Sequence, residues 1–197
     1  MGYDYEYEWD KEYCYPHSGV LINKLGIKDR DELVIAEREI TSLKMAVAKA
    51  EPIHGNFDFE HLKRIHKFIF EDIYFWAGEF RHVNIAKGNH FCLHQNIEMY
   101  AAGIFGKLKS ENYLLDSEAS IAHRLAYYLS EINVLHPFRE GNGRAQRLFI
   151  EYLADNAGYK VDFSNISAEE MIVASAESFA RDYTKINEMF EKITTKK

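Results

Sequence analysis

Cysteine, proline and long apolar runs are scarce in this chain of 197 residues. Its two cysteines, Cys14 and Cys92, do not make the disulfide framework that small secreted domains rely on. No apolar run approaches the roughly 20 residues of a membrane-spanning helix. The acidic, aromatic first residues also lack the apolar segment of a signal peptide. These absences predict a cytoplasmic protein with no membrane partner.

Positively charged residues are also fewer than negatively charged ones. Lysine and arginine total 24 against 31 aspartates and glutamates, so the formal net charge is −7. Such a surface repels nucleic acid and anionic membranes, and we expect no direct nucleic-acid partner. Hydrophobic residues make up 47% and charged residues 28%, as in ordinary soluble globular proteins. The length predicts one domain that buries roughly 70% of its unfolded surface.

Apolar residues recur at helical spacing along most of the chain. Asp29, Asp58 and Ser167 are expected to cap helices at their N-termini, Ser167 in a capping box with Glu170. The predicted helices span 29 to 51, 58 to 77, 97 to 108, 116 or 117 to 135 and 144 to 157, and further helical segments run from 167 to about 193. The last four residues are predicted to be a solvated tail.

The first 28 residues are predicted to form an aromatic-rich arm, since residues 3 to 15 contain five tyrosines and one tryptophan. The arm would lay aromatic surface over the domain that begins at residue 29. The same alternation of acids and aromatics is compatible with a strand that binds a partner.

One β signal interrupts the helices. Two short runs, 82–86 and 90–93, flank a turn at 87–89 that is typical of a hairpin. An isolated pair of strands is marginally stable, which favours a functional role for the segment from about 80 to 96. Three residues of this segment are candidate zinc ligands: His90, Cys92 and His94. A zinc site here would lack the fourth ligand that a tetrahedral site requires.

The stretch from His136 to Arg147 concentrates groups that suit a nucleotide. His136 can carry a proton near neutral pH, and Glu140 is an oxygen ligand of the kind Mg²⁺ prefers. The Gly-Asn-Gly at 141–143 allows positive φ and turns its N–H groups toward an anion. Arg144 and Arg147 share one face of the following helical turn. Arginine there opposes the helix dipole, so an incoming anion best explains the pair.

The twelve residues HPFREGNGRAQR at 136–147 match, without a substitution, the signature H-x-F-x-(D/E)-G-N-G-R-x-x-R of the Fic family. The segment FWAGEFR at 75–81 also resembles Fic proteins, and the resemblance extends from about residue 19 onward. It implies an all-α fold class: a mostly helical Fic domain over 29–197, with one small β-hairpin.

The resemblance also implies roles for individual residues. His136 is the catalytic base, Glu140 is the Mg²⁺ ligand, and Phe138 is structural and points into the core. The phosphates of ATP are bound by Gly141, Asn142, Gly143, Arg144 and Arg147. The hairpin corresponds to the flap, whose exposed edge holds the backbone of the target protein; its assigned residues are Ile85, Ala86, Lys87, Gly88 and Phe91.

The implied activity is transfer of AMP from ATP to a Ser, Thr or Tyr hydroxyl of a target protein, which defines a protein adenylyltransferase. Two alternatives stay open: a Fic-fold enzyme that transfers another phosphate-containing group, and a nucleotide-binding interaction module without turnover. The intact His136 and Glu140 disfavour the second, because a binding module needs neither.

Regulation is predicted from an absent motif. Many Fic proteins carry an inhibitory helix with (S/T)-x-x-x-E-(G/N), and the nearest match here, 184–188, is followed by Met189. The resemblance therefore implies a toxin whose small, separate antitoxin supplies the helix. On resemblance alone, the target would be a type II topoisomerase subunit, and a translocated effector domain is an alternative to a cytoplasmic toxin.

Overall fold

The computed structural model describes residues 10–87, 89–115 and 120–197, and describes residues 87, 89 and 90 by their backbone alone. Three predicted features lie wholly or partly outside the described residues: the first nine residues of the arm, the turn glycine at 88, and the N-cap at Asp116 or Ser117. The described part of the fourth long helix follows Ser120.

Helices dominate the described residues, and the predicted mostly helical fold is confirmed. The seven described α-helices are α1 Arg30–Ala50, α2 Phe59–Phe70, α3 Ile97–Ser110, α4 Ile121–Leu135, α5 Asn142–Asn156, α6 Ala168–Phe179 and α7 Thr184–Ile193. Short 3₁₀ turns occur at His94–Asn96, Asn112–Leu114 and Phe163–Asn165. None of the helices in this part of the chain has the length and apolar character needed to cross a bilayer.

Side-chain caps begin three of these helices as predicted. The Asp29 carboxylate accepts hydrogen bonds from two backbone N–H groups of the first turn of α1, and Asp58 accepts one from His61. Ser167 and Glu170 form the reciprocal capping box of α6. Each cap satisfies N–H groups that the helix itself leaves unpaired.

The prediction for the end of the second helix is wrong. The helical spacing of apolar residues continued to residue 77, but α2 ends at Phe70 and the chain then folds into successive turns. Those turns bury Ile73, Tyr74 and Ala77 and leave Phe75 71% exposed. Apolar periodicity cannot distinguish such a buried run of turns from another helical turn.

The core is centred on α4 and α5, which pack on each other and on α2, α3 and α7. In α5, the apolar side chains from Leu148 to Ala154 are buried on several faces of the helix. A helix that is apolar on most sides lies inside the domain. The loop from residue 136 to 141, which joins α4 to α5, is therefore held between buried helices.

Two small antiparallel pairs of strands complete the described fold. The predicted hairpin is present, but its strands β1 Ala86–Lys87 and β2 Asn89–His90 are shorter than predicted and include two residues assigned to the turn. Ala86 lies opposite His90. The second pair joins β3 Tyr159–Val161 to β4 Thr194–Lys196, with Lys160 opposite Thr195. The predicted tail is solvated at 195–197, but the prediction missed that residues 194–196 add a strand beside the chain that leaves α5. Three-residue strands are too short for an alternating pattern to predict.

The described part of the predicted arm, residues 10–28, packs on the helical domain. Tyr13, Cys14 and Val20 are buried, and the Lys24 N–H donates to the carbonyl of Ile73 over 2.7 Å. The Lys24 hydrogen bond joins the arm to the turns after α2. The division of the chain at residue 28 stays a prediction.

Candidate active site

A cleft of about 570 Å³ opens above the loop between α4 and α5. The loop and the start of α5 contribute His136, Glu140, Gly141, Gly143, Arg144 and Arg147 to its lining. One wall is formed by α1 and residues 19–21, and the other by α6 from Met171 to Phe179. The cleft therefore brings together the motif residues and two elements that are distant from them in sequence.

His136 ends α4 in the left-handed conformation, with φ 42° and ψ 60°. Its backbone N–H completes the helix by donating to Ile132 over 2.9 Å. Its Nδ1 lies 3.3 Å from the carbonyl oxygen of Asn133. Because a carbonyl can only accept, Nδ1 is the donor in this contact. In the neutral ring, Nε2 then carries the lone pair, which is the tautomer of a proton acceptor.

Arg81 holds the backbone of His136 in place. Its buried guanidinium donates from Nε to the His136 carbonyl over 2.9 Å, from Nη1 to Val83 over 2.7 Å and from Nη2 to Cys92 over 2.5 Å. Its own backbone N–H donates to the carbonyl of Pro137 over 2.8 Å. One side chain thus joins the histidine to both ends of the hairpin segment.

Phe91 covers the His136 ring from the hairpin side. The two rings are stacked, with centroids 3.7 Å apart and planes inclined by 16°, and Phe91 also meets Phe179 of α6 edge-on. Of the other predicted flap residues, Ile85 is 3% exposed, so only its backbone could take part in docking. Ala86 and Lys87 form β1, and Gly88 lies outside the described residues.

The loop itself is closed by Asn142. Its side-chain oxygen accepts a hydrogen bond from the Phe138 N–H at 2.8 Å, and its amide donates to the Phe138 carbonyl at 2.7 Å. The resemblance makes Asn142 a phosphate ligand, and one of the two N–H groups of its side-chain amide is already used within the loop. The backbone N–H of Asn142 remains part of the N-terminus of α5.

Two glycines of the loop lie close to neighbouring side chains, which a larger residue at either position would displace. Gly141 has φ +81°, and a Cβ there would lie 2.1 Å from the Phe70 ring. A Cβ on Gly143 would lie 3.2 Å from Nη1 of Arg147. The Arg147 guanidinium therefore folds back over the glycine loop, as its position in the first turn of α5 predicts.

Arg144 points toward α1. Its Nη2 lies 2.5 Å from the Glu37 carboxylate and 3.6 Å from that of Glu140, and its Nη1 donates to the Thr41 hydroxyl over 3.0 Å. The guanidinium also lies over the Phe70 ring, 4.6 Å from its centroid. The two arginines of the motif thus differ in surroundings, although both line the cleft.

Glu140 has one carboxylate oxygen bonded to the Gly141 N–H over 2.8 Å. Burial, and then the nearby Glu37 carboxylate, raise the pKa of Glu140, while Arg144 opposes them. A cation would relieve this crowding of negative charge, so the site suits Mg²⁺ electrostatically. Among the described residues, no group of three or more His, Cys, Asp or Glu side chains could hold a metal ion. Mg²⁺ would therefore need oxygens from a nucleotide and water as well.

His66, which the sequence analysis did not identify, supports the motif loop from its buried side. The ring is fully buried, and its Nδ1 accepts from the Gly78 N–H over 2.9 Å. Nε2 must therefore donate to the Glu140 carbonyl at 3.0 Å. Burial lowers the pKa of His66 to about 3, so the ring is neutral near pH 7. Its stacking on Phe138, with centroids 3.8 Å apart, orders the buried side of the loop.

A helical domain that carries a histidine, a carboxylate, a glycine cradle and two arginines in one cleft has the parts of a nucleotide-binding transferase. The chain belongs to the Fic/DOC family, whose family model matches residues 56–154. The predicted family and the all-α Fic fold are confirmed.

Curated relatives cover most of the chain. It is 37% identical to "Probable protein adenylyltransferase Fic" of Escherichia coli K12, over 93% of this chain and 92% of that one. It is 43% identical to "Protein adenylyltransferase VbhT" of Bartonella schoenbuchensis over 85% of this chain, but spans only 35% of that protein's length. Because several relatives carry this name, the predicted enzyme class, a nucleotidyltransferase, is confirmed.

Solved structures of Fic domains are similar over nearly the whole chain. The BepC protein of Bartonella tribocorum with bound AMPPNP has a TM-score of 0.87 at 29% identity, covering 95% of this chain and 98% of that one. An N-terminal Fic domain from Bartonella quintana with bound ADP has a TM-score of 0.87 at 32% identity, covering 94% and 95%. Both are similar structures that hold an adenine nucleotide.

Proposed function

We propose that this chain transfers AMP from ATP to the hydroxyl of a Ser, Thr or Tyr residue of a target protein. The observation that carries the proposal is the single cleft lined by His136, Glu140, the glycine loop and both motif arginines. The names of the relatives and the adenine nucleotides bound in similar structures support ATP as the co-substrate.

The chemistry follows from the groups in the cleft. The target hydroxyl oxygen attacks the α-phosphorus of ATP, the bond from that phosphorus to the β-phosphate oxygen breaks, and pyrophosphate leaves. Nε2 of His136 accepts the hydroxyl proton as the new bond forms. The N–H groups at the start of α5 stabilise the negative charge, and the guanidinium groups of Arg144 and Arg147 hold the outgoing phosphates. Glu140 would hold Mg²⁺, which when bound neutralises charge on the departing pyrophosphate.

The hairpin would present the target. Residues of β1 offer backbone N–H and C=O groups to which an extended segment of the target can add as a strand. Phe91 would then separate the docked segment from the His136 ring, against which it stacks. A hydroxyl on the docked segment has to approach Nε2 past the edge of this phenyl ring.

We also infer that inhibition comes from a separate antitoxin, as in toxin–antitoxin pairs of this family. The near match to the inhibitory motif at 184–188 falls in α7, whose Ile186, Met189 and Phe190 pack into the core. Arg147 lines the cleft, where a glutamate from a partner could pair with it. A topoisomerase target and a cytoplasmic location stay predictions, and a translocated effector domain stays an alternative, since BepC is described as a VirB-translocated effector protein.

The test is His136→Ala, compared with His123→Ala on the exposed face of the same helix. Transfer from labelled ATP to proteins of a host lysate should fall about 10²- to 10⁴-fold for the first variant and stay at the parent level for the second. AMPPNP binding should survive in both. Mass spectrometry of the labelled peptide identifies the added group. Phosphate or phosphocholine in place of AMP, or full transfer by His136→Ala, would contradict the proposal.

A further inference from the structure

Glu37 is an acidic residue of the cleft that belongs to no part of the Fic signature. It lies on α1, 107 residues before Arg144 in the chain, and its Oε1 is 2.5 Å from Nη2 of that arginine. The side chains of Glu37 and Arg144 are only 14% and 24% exposed. A carboxylate–guanidinium pair so shielded from water orders both partners more strongly than a surface pair does.

Two further side chains hold Glu37 and Arg144 in place. The Tyr74 hydroxyl, on a residue that is 1% exposed, donates to Oε2 of Glu37. The Thr41 hydroxyl donates to the Glu37 backbone carbonyl over 2.8 Å, which leaves its oxygen to accept from Nη1 of Arg144. The hydroxyls of Tyr74 and Thr41 each have an acceptor, so the cluster has one well-defined arrangement.

This arrangement determines which side of Arg144 a ligand can meet. A guanidinium has five N–H groups, and the bonds to Glu37 and Thr41 use two of them. Nη2 also lies 3.6 Å from the Glu140 carboxylate, so at most three N–H groups are left to meet an anion in the cleft that Arg144 and Glu37 both line. Drawing Arg144 away from α1 would strand the Glu37 carboxylate in a largely buried position, which is strongly unfavourable. The phosphates would therefore come to an arginine that stays where it is.

We propose that Glu37 is a positioning residue of the nucleotide site, which, with Tyr74 and Thr41, holds Arg144 in the orientation that receives the outgoing phosphates of ATP. The inference rests on the proposed function, because it assumes that Arg144 contacts those phosphates. It assigns a role to α1, which lies outside the part of the chain that the family model matches.

Nucleotides with different numbers of phosphates distinguish a positioning role of Glu37 from a purely structural one. AMP lacks the phosphates that Arg144 would hold, whereas AMPPNP carries them. Binding of both nucleotides, with Mg²⁺ present, can be measured by calorimetry for the parent, Glu37→Ala and Glu37→Gln, below the melting temperature of each. Tyr74→Phe keeps the ion pair but removes the bond that fixes Glu37. Glu39→Gln, an exposed position on the same helix, is the matched control for the lost charge.

We expect Glu37→Ala to weaken AMPPNP binding about tenfold, about 1.4 kcal/mol, while AMP binding changes less than about twofold. Glu37→Gln and Tyr74→Phe should show smaller losses in the same direction, and Glu39→Gln none. Equal losses for AMPPNP and AMP, or a lower melting temperature with unchanged binding, would reduce Glu37 to a scaffold residue. Tighter AMPPNP binding by Glu37→Gln would instead show that Glu37 competes with the phosphates for Arg144. A parent chain that binds AMP but not AMPPNP would overturn the proposed function itself.

Discussion

Gly141 and Gly158 form a natural pair of sites for testing how tightly the motif loop is packed. Their φ angles are almost the same, +81° and +82°. A Cβ on Gly158 would meet no atom within 4 Å, whereas a Cβ on Gly141 would lie 2.1 Å from Cζ of Phe70. Alanine at either position bears the same backbone penalty, so the difference between the two variants isolates the collision.

The magnitude follows from these two contributions. Holding alanine in the left-handed region costs about 1–2 kcal/mol, which should be the whole effect of Gly158→Ala. Forcing a methyl group into a packed core adds about 1–3 kcal/mol. The Phe70 ring has little room to move, since it is fully buried, stacks on His66 and carries the Arg144 guanidinium. We therefore expect Gly141→Ala to destabilise the protein by about 2–5 kcal/mol in total.

Urea unfolding of the parent and the two variants measures this difference, provided that the dependence on urea is the same in all three. AMPPNP binding gives a second reading, because Phe70 lies under Arg144 and the loop forms the cradle. Gly141→Ala should weaken that binding and Gly158→Ala should not. Equal losses of unfolding free energy, with nucleotide binding retained by Gly141→Ala, would refute the close packing argued here.

Three further predictions concern the surroundings of the site. Arg81→Lys keeps the charge but loses the fork of donors, so AMP transfer should fall at least about tenfold with AMPPNP binding unchanged; parallel losses would contradict this. Since the folded pKa of His66 is about 3 and its unfolded value about 6.5, the unfolded chain binds more protons between these values, and stability should decline as pH falls through that window. Urea unfolding at several pH values should show a shallower decline for His66→Gln than for the parent. Phe91→Ser should reduce modification of a protein target and leave AMPPNP binding intact; undiminished modification would exclude the flap role.

The meeting of the motif residues in one cleft could be predicted from sequence because the geometry of the motif is local. Within twelve residues, a helix end, a glycine loop and a new helix can be arranged in few ways, and the resemblance to Fic proteins is carried by the same residues. The starts of α1, α2 and α6 were equally predictable, since a cap needs only the residues of one turn. The end of α2 and the strand β4 were not, because packing against distant parts of the chain decides both.

The supporting residues could not be predicted for the same reason. His66, Arg81 and Glu37 act on the loop from α2, the hairpin segment and α1, and neither spacing nor composition links them to residue 136 or 144. Only Arg81 carried a signal, as the last residue of the FWAGEFR segment. His66 looked like one more position on the apolar face of α2, because a buried neutral histidine leaves the same pattern as a buried apolar residue.

Arg144 illustrates what the local pattern leaves undecided. Its place in the first turn of α5 predicts a phosphate ligand on helix geometry alone, and within the motif it faces the Glu140 carboxylate at 3.6 Å. The fold brings it a carboxylate from another helix, so its charge is compensated before any nucleotide arrives. Its contribution to binding then depends on the direction of its remaining donors more than on net charge. Arg147 lies three residues on, in the same motif, and folds over Gly143, so replacing each arginine in turn should compare the clamp that Glu37 orients with the second one.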